Sequence, residues 1–166
     1  MKQGKISKIE FQLPSKKISI NKLCNKNNWD YKNLIQKTGI KNIYRSSSKE
    51  NALSLALKAS KKLKINFKKI DALIYVTQSP QSLIPTTACI IQDKLKLRND
   101  IIAIDITQGC SGYIYGLHNS FSLLNNKNVR NVLLICSDNY TKYISDINKT
   151  CVTLFSDAAS ATLITK

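Results

Sequence analysis

Apolar and polar residues follow one another along this chain in blocks that predict strands and helices in turn. The segments 71–77, 101–106 and 132–136 are apolar runs rich in β-branched residues, short enough for strands covered on both faces. Between them, 52–63 and 113–124 place apolar residues at helical spacing. Strands alternating with helices predict an α/β domain whose mostly parallel sheet lies between helices.

The other expected elements are shorter and depend on turn and cap residues. Pro14 ends a first strand, Asp30 is a suitable N-cap, and Gly39 suits a helix C-terminus. Ser47 or Ser48 is expected to cap the helix over 52–63. Trp29 is expected to be a packing anchor. The expected set also includes strands over 5–13, 43–46 and 160–165, helices over 21–27, 30–37 and 86–97, and a loop or short helix over 137–150.

One stretch, 101–124, suggests chemistry because a strand, a Gly-flanked turn and a helix follow one another there. This is the layout of a nucleophile elbow, with Cys110 as the nucleophile. Unpaired backbone N–H groups at the start of a helix stabilise an anion such as a thiolate. Gly109 and Gly112 would allow a sharp turn and the close approach of a substrate carbonyl. The alternative is a buried structural cysteine between strand and helix.

Length and cysteine usage narrow the class of protein. A chain of 166 residues is expected to form one domain. No stretch approaches the ~20 apolar residues of a membrane span, and the start lacks the apolar core of a secretory signal. The five cysteines are odd in number and lack the close spacing of a zinc or redox motif. A cytoplasmic protein without a metal site is expected.

The formal charge of +16 changes this interpretation little. Of the 26 basic residues, only Arg45, Arg98 and Arg130 are arginine, and the lysines are spread along the whole chain. A nucleic-acid module would more often show a basic stripe with interleaved aromatic residues. The densest patches, 58–69 and 94–98, lie on expected helices and are most simply solvated faces. A basic surface would still attract an acidic partner.

The segment from Asp105 to Leu117, DITQGCSGYIYGL, resembles the active-site segment of the β-ketoacyl-acyl carrier protein synthase III family. These are thiolase-fold condensing enzymes whose cysteine takes the acyl group. Other segments resemble the family in the same order along the chain. They are Lys37–Ile40 (KTGI, for the family's Arg-Thr-Gly-Ile), Asp71–Thr77, Leu83–Gln92, and Phe155–Ala161 (FSDAASA, for Phe-Gly-Asp-Gly-Ala-Gly-Ala).

The resemblance implies a thiolase-like fold of two similar halves in five layers. Residues 1–166 correspond to the N-terminal domain, and the C-terminal half, which carries the family's catalytic His and Asn, is absent. Cys110 is implied to take an acyl group from acyl-coenzyme A for condensation with malonyl-acyl carrier protein, without a cofactor. Ile84 resembles a residue that lines the partner subunit's acyl pocket. Many members carry a Trp that stacks on coenzyme A where Asn33 stands here.

The implied partners are acyl carrier protein and either a second copy in a homodimer or a complementary C-terminal half.

His118 lies two helical turns, about 12 Å, beyond Cys110, too far to act as its base. Asp105 is expected to serve as a cap or turn residue. Two alternatives stay open. For a non-catalytic half-domain, replacing Cys110 would change no activity. A basic nucleic-acid binder would show strongly salt-dependent binding to DNA or RNA.

Overall fold

A computed structural model describes residues 4–145 and 148–166 as strands, helices and their connections. The strands are β1 (Lys5–Gln12), β2 (Lys16–Ser19), β3 (Asn42–Arg45), β4 (Ala72–Val76), β5 (Ile102–Ile106), β6 (Asn131–Asp138) and β7 (Ala158–Thr165). The helices are α1 (Ile20–Asn27), α2 (Tyr31–Thr38), α3 (Ala52–Lys62), α4 (Thr87–Lys94), α5 (Gly112–Leu124) and α6 (Lys149–Leu154). None of these described helices is long and apolar enough to cross a membrane.

The main sheet has five strands in the order β1–β7–β6–β4–β5. Strand β4 pairs in parallel with β5 and β6, whereas β7 runs antiparallel to both β6 and β1. It follows that β1, β4, β5 and β6 share one direction and β7 is reversed. The predicted α/β domain with a mostly parallel sheet is confirmed.

Helices cover both faces of this sheet, and each face has its own apolar core. Helices α3 and α4 pack on one face, and α5 packs on the other over β4 and β6. The predicted apolar side of α3 is confirmed, because all of its expected core residues are buried. They are Ala52, Leu55, Ala56, Ala59 and Leu63.

A second sheet of two strands, β2 and β3, carries α1 and α2 beside the main body. Trp29 packs against the small core of this unit, as predicted for a packing anchor. The Asp30 carboxylate caps α2 by accepting from the N–H of Asn33 at 3.1 Å, and Gly39 ends the helix with φ +68°. Strand β2 is not predictable from its sequence, KKIS, because one apolar residue makes no alternating pattern.

The apolar run over 101–106 is not a buried strand, contrary to its composition. Strand β5 is an edge strand, and Ile102 and Ile104 remain 40% and 37% exposed. The prediction was wrong because a run of β-branched residues suits any pleated surface and does not reveal whether a second neighbouring strand exists.

The predicted cap of α3 was also wrong. Asn51, rather than Ser47 or Ser48, is the N-cap, and it forms a capping box with Ser54. Ser and Asn are nearly equivalent as caps, so several candidates within five residues cannot be ranked by type. Glu50, which precedes this N-cap, makes a separate contact.

That contact joins the turn after β1 to the segment before α3. The Glu50 carboxylate accepts hydrogen bonds from the N–H and hydroxyl of Ser15, at 3.1 and 2.8 Å. It also accepts from the N–H and hydroxyl of Ser47, at 3.2 and 3.0 Å. Lys58 lies 3.7 Å from the same carboxylate. One carboxylate thus holds two chain segments that are distant in sequence.

A buried carboxylate joins the smaller sheet to the main one. Asp157 is 1% exposed and accepts from the N–H of Ser46 at 2.7 Å and from the N–H and hydroxyl of Thr141 at 3.0 and 2.9 Å. Its own N–H donates to the carbonyl of Tyr44 at the end of the smaller sheet. Asp157 therefore fixes β3 beside β7.

Protonation of Glu50 is expected to destabilise the fold. Partial burial disfavours its charged form, but hydrogen bonds from Ser15 and Ser47 outweigh burial and lower its pKa from 4.5 to about 2. Because the folded-state pKa is depressed, the stabilisation is present above about pH 4.5 and is lost as the pH falls through about 2. We expect Glu50→Gln to lower the free energy of unfolding at neutral pH, measured by urea denaturation, and to flatten its acid dependence.

The matched control is Glu10→Gln, since the side chain of Glu10 makes no hydrogen bond within the described residues. This variant should keep the acid dependence of the parent protein. A Glu50→Gln protein with the parent's stability at neutral pH would contradict the assignment.

Candidate active site

The candidate nucleophile lies in a short turn between the edge strand and the central helix. Strand β5 ends at Ile106, a single 3₁₀ turn spans Gly109–Ser111, and α5 starts at Gly112. Cys110 is at the middle of this turn and is exposed to solvent. The hydroxyl of Ser111 donates to the carbonyl of Gln108 at 2.9 Å and closes the turn. The strand–turn–helix geometry predicted from the sequence is present.

The two glycines that flank Cys110 differ in what they do. Gly109 has φ +52°, a conformation that side chains with a Cβ rarely adopt, and it faces open space. Gly112 has φ −56° and is buried against Val76 of β4, where an added Cβ would overlap Val76 Cγ1. Gly109 therefore makes the turn possible. The structure places Gly112 in the contact between helix and sheet.

Exposure separates the five cysteines. Cys89, on α4, and Cys110 are exposed, whereas Cys24 is buried and the other two are partly covered. Burial, with the nearby Asp138 carboxylate, raises the pKa of Cys136 to about 12, so its thiol stays protonated at neutral pH.

His118 is exposed on α5. The described residues hold no group of three His, Cys, Asp or Glu side chains arranged for a metal ion.

Ile84 lies in the loop between β4 and α4 and is 91% exposed, next to Leu83 at 80%. The end of this loop is held by Asp105 of β5, whose carboxylate accepts from the N–H groups of Thr87 and Ala88 at 2.9 and 2.7 Å. The predicted capping role of Asp105 is thus confirmed. Burial raises the pKa of Asp105 above its usual value, although these two hydrogen bonds oppose the shift.

A cleft of about 310 Å³ opens between α2 and α6. Its lining carries two cationic side chains, Lys37 and Lys149, and no carboxylate. The Lys149 ammonium also lies 6.0 Å from the centre of the Trp29 ring. The remaining lining residues are Asn33, Leu34, Thr38, Thr150, Thr153 and Leu154. One wall includes Lys37 and Thr38 of the KTGI segment, whereas the wall on α6 lies in and beyond a polar stretch whose sequence carries no motif.

The outer side of α5 is apolar and uncovered. Ile114, Tyr115 and Phe121 are 66%, 51% and 37% exposed on this central helix. On the same side of the sheet, Ile9 and Phe11 of β1 are 56% and 60% exposed. The candidate turn lies at one end of this apolar face.

Comparison with known proteins agrees with the geometry. The family model for 3-oxoacyl-[acyl-carrier-protein (ACP)] synthase III matches residues 104–166. A putative 3-oxoacyl-[acyl-carrier-protein] synthase 3 of Campylobacter jejuni is 42% identical over 104 residues, covering 63% of this chain and 29% of the relative. A β-ketoacyl-[acyl-carrier-protein] synthase III of Clostridium perfringens is 37% identical over 133 residues, covering 78% of this chain and 40% of the relative.

A solved structure of a 3-oxoacyl-(acyl-carrier-protein) synthase III superposes with a TM-score of 0.94 and 33% identity over 99% of this chain. In sequence and in fold, the chain matches the 3-oxoacyl-acyl carrier protein synthase III family. It spans 50% of that solved chain, and about half or less of the curated relatives it matches. The synthase III fold is therefore shown for this region, in agreement with the thiolase-like prediction.

The contact between Gly112 and Val76 predicts a sensitive position beside the synthase III turn. Gly112→Ala should lower the free energy of unfolding by about 1–3 kcal/mol, because an added methyl group overpacks the interface of α5 and β4. Thermal and urea denaturation measure the loss. When Gly112→Ala is combined with Val76→Ala, the loss in free energy of unfolding should be smaller than the sum of the two single losses, because the truncated side chain at position 76 leaves room for the methyl group. A double variant whose losses simply add would contradict this packing.

Proposed function

We propose that this protein is an acyltransferase of the β-ketoacyl-acyl carrier protein synthase III type and that Cys110 is its acylation nucleophile. The observation that carries the proposal is the exposed thiol of Cys110 on a glycine-flanked turn at the N-terminus of α5. The family match supports it, because the turn lies within the region that matches the family model.

The acylation step follows from this geometry. The Cys110 thiolate attacks the carbonyl carbon of an acyl thioester, and the positive end of the α5 helix dipole stabilises the oxyanion that forms. Collapse of the tetrahedral intermediate breaks the bond to the departing sulfur, which leaves as a thiolate and takes up a proton. The acyl group then remains on Cys110. No cofactor is required for this exchange of one thioester for another.

The cleft between α2 and α6 is our candidate site for the acyl donor, acyl-coenzyme A. Lys37 and Lys149 offer positive charge to phosphate groups in a lining without carboxylates. Many family members carry a stacking Trp where Asn33 stands here, so the resemblance supports the same cleft with a changed wall. Trp29 lies beside Lys149 and keeps an aromatic ring near this cleft.

The second substrate and the partners are proposed on the same basis. Condensation with malonyl-acyl carrier protein, in fatty acid or related acyl-chain synthesis, uses a His and an Asn that the resemblance places in the second half of the family. The uncovered face of α5 suits that half, and the open edge of β5 suits a second copy in a homodimer. A net charge of +16 favours the acidic acyl carrier protein. A cytoplasmic location completes the proposal.

Incubation with acetyl-coenzyme A tests the nucleophile. We expect the purified protein to gain the mass of one acetyl group, and peptide mapping by mass spectrometry should place that group on Cys110. Cys110→Ser should abolish the adduct, because the serine hydroxyl remains protonated and is a weak nucleophile. Cys89→Ser, which removes the other exposed thiol, should leave it unchanged.

Acylation of Cys89 instead, or of neither cysteine, would refute the assignment of Cys110. A protein without an adduct whose α5 face still binds another polypeptide would indicate a non-catalytic half-domain, which the exposed apolar residues of α5 would explain.

The cleft makes a separate prediction. Lys37→Ala should raise the KM for acetyl-coenzyme A several-fold while leaving acylation by acetyl-pantetheine, which lacks the nucleotide and its phosphates, nearly unchanged. The rate of adduct formation measures both. Lys32→Ala, at an exposed lysine of the same helix outside the cleft lining, is the matched control and should change neither value. An equal loss with both donors would exclude a phosphate-binding role for Lys37.

A further inference from the structure

The chain segments that form the two walls of the cleft are joined by hydrogen bonds a few residues beyond the cleft lining. The wall on α2 continues through residues 39–41 into β3, and the wall on α6 ends at Leu154, two residues before Ser156. The Ser156 hydroxyl accepts from the N–H of Tyr44 on β3 at 2.7 Å and donates to the carbonyl of Tyr44 at 3.1 Å. One side chain therefore pairs with both backbone groups of a residue 112 positions away.

This contact extends the smaller sheet. Both backbone groups of a strand residue point to the same edge of the strand, so the bonds from Ser156 lie on the edge of β3 that faces away from β2. The N–H of Asp157 donates to the Tyr44 carbonyl on the same edge, at 2.8 Å. Ser156 and Asp157 thus occupy this edge of β3 much as a third strand would. The segment that follows α6 is therefore attached to the sheet that carries α2.

The hydroxyl that makes this attachment is a departure from the pattern that the segment resembles. Ser156 stands where that pattern, Phe-Gly-Asp-Gly, has its first glycine. Glycine has no side chain, so a segment that follows the pattern cannot pair with Tyr44 through a hydroxyl. The cleft of this chain also departs from the pattern at Asn33, on the opposite wall. The attachment through Ser156 is thus a feature of this sequence, found beside a cleft whose lining has changed as well.

The relative position of the two walls matters because each wall contributes one cation to the cleft. Lys37 belongs to α2 and Lys149 to α6, and both line the same space. A lysine ammonium acts on a phosphate group as a point charge, so the attraction depends on the distance between them. A shift of α6 relative to α2 would therefore weaken binding of a phosphate-bearing donor. It would leave the reactivity of the thiol on the Cys110 turn as it was.

We propose that Ser156 is a positioning residue for the donor cleft: its hydroxyl holds the segment after α6 against β3 and so sets the distance between Lys37 and Lys149. The inference rests on the proposed function, with Cys110 as the acylated residue and the cleft as the site of acyl-coenzyme A. It goes further because it assigns the width of the cleft to one hydroxyl that touches neither the donor nor the thiol.

Ser156→Ala tests this role because it removes the hydroxyl and keeps the Cβ. The bonds lie at the surface, so water can replace the hydroxyl at the Tyr44 N–H, and circular dichroism should show a folded protein. We expect the KM for acetyl-coenzyme A in adduct formation to rise about threefold to fivefold, as the loss of one or two exposed hydrogen bonds implies. The maximal rate should be unchanged, and acylation by acetyl-pantetheine, which lacks the phosphates of the nucleotide, should keep the parent rate.

A double-variant cycle separates positioning from a general loss of stability. If Ser156 acts by placing Lys149, then adding Ser156→Ala to Lys149→Ala should raise the KM little further, because the cation to be placed is already gone. Ser48→Ala is the matched control, since Ser48 is an exposed serine four residues beyond Tyr44 whose side chain makes no hydrogen bond within the described residues. It should match the parent protein with both donors.

The outcomes are distinguishable. An unchanged KM in Ser156→Ala overturns the role of Ser156 while leaving Cys110 as the nucleophile. An equal loss with acetyl-coenzyme A and acetyl-pantetheine also overturns it, because the damage would then extend beyond the phosphate contacts. So does a Ser156→Ala effect that keeps its full size in the Lys149→Ala background. Absence of an acyl adduct in the parent protein overturns the proposed function and this role together, and it is visible before any variant is made.

Discussion

The close approach of α5 to the main sheet is the constraint on which the rest of the site depends. Gly112 and Gly116 face β4 and β6, and a Cβ at Gly116 would lie 2.6 Å from Leu134 Cδ1. Side chains at these two positions would push the helix away from the sheet, and the short turn after β5 would no longer reach it. The exposed position of Cys110 is thus a product of packing several residues away.

Carboxylates hold many of the backbone N–H groups outside the regular elements of this lysine-rich chain. Of its ten acidic residues, six accept hydrogen bonds from backbone N–H groups in the described part. They are Asp30, Glu50, Asp71, Asp105, Asp138 and Asp157. A carboxylate suits this task because it accepts several hydrogen bonds at once, and bonds to a charged acceptor are stronger than neutral ones.

Local patterns predicted the parts of this fold that depend on local physics. The helical spacing of α3, the Asp30 cap and the turn between β5 and α5 all follow from residues within a few positions of one another. Patterns failed where the outcome depends on distant neighbours, as for the edge position of β5. The second wall of the cleft was missed for the same reason: Lys149 lines the same cleft as Lys37 only because the fold brings α6 beside α2.

The use of carboxylates as backbone acceptors has a consequence for mutational tolerance. Exposed lysines without a specific contact, such as Lys61 of α3 and Lys94 of α4, can be exchanged for other polar residues with small effects on stability. Surface substitutions away from special contacts usually change the free energy of unfolding by less than about 0.5 kcal/mol. The six connecting acids do not have this freedom, because each holds backbone groups that would otherwise lose a partner. Sequence drift in this protein is therefore expected to add or remove positive charge readily, while its few structural acids stay where the backbone needs them.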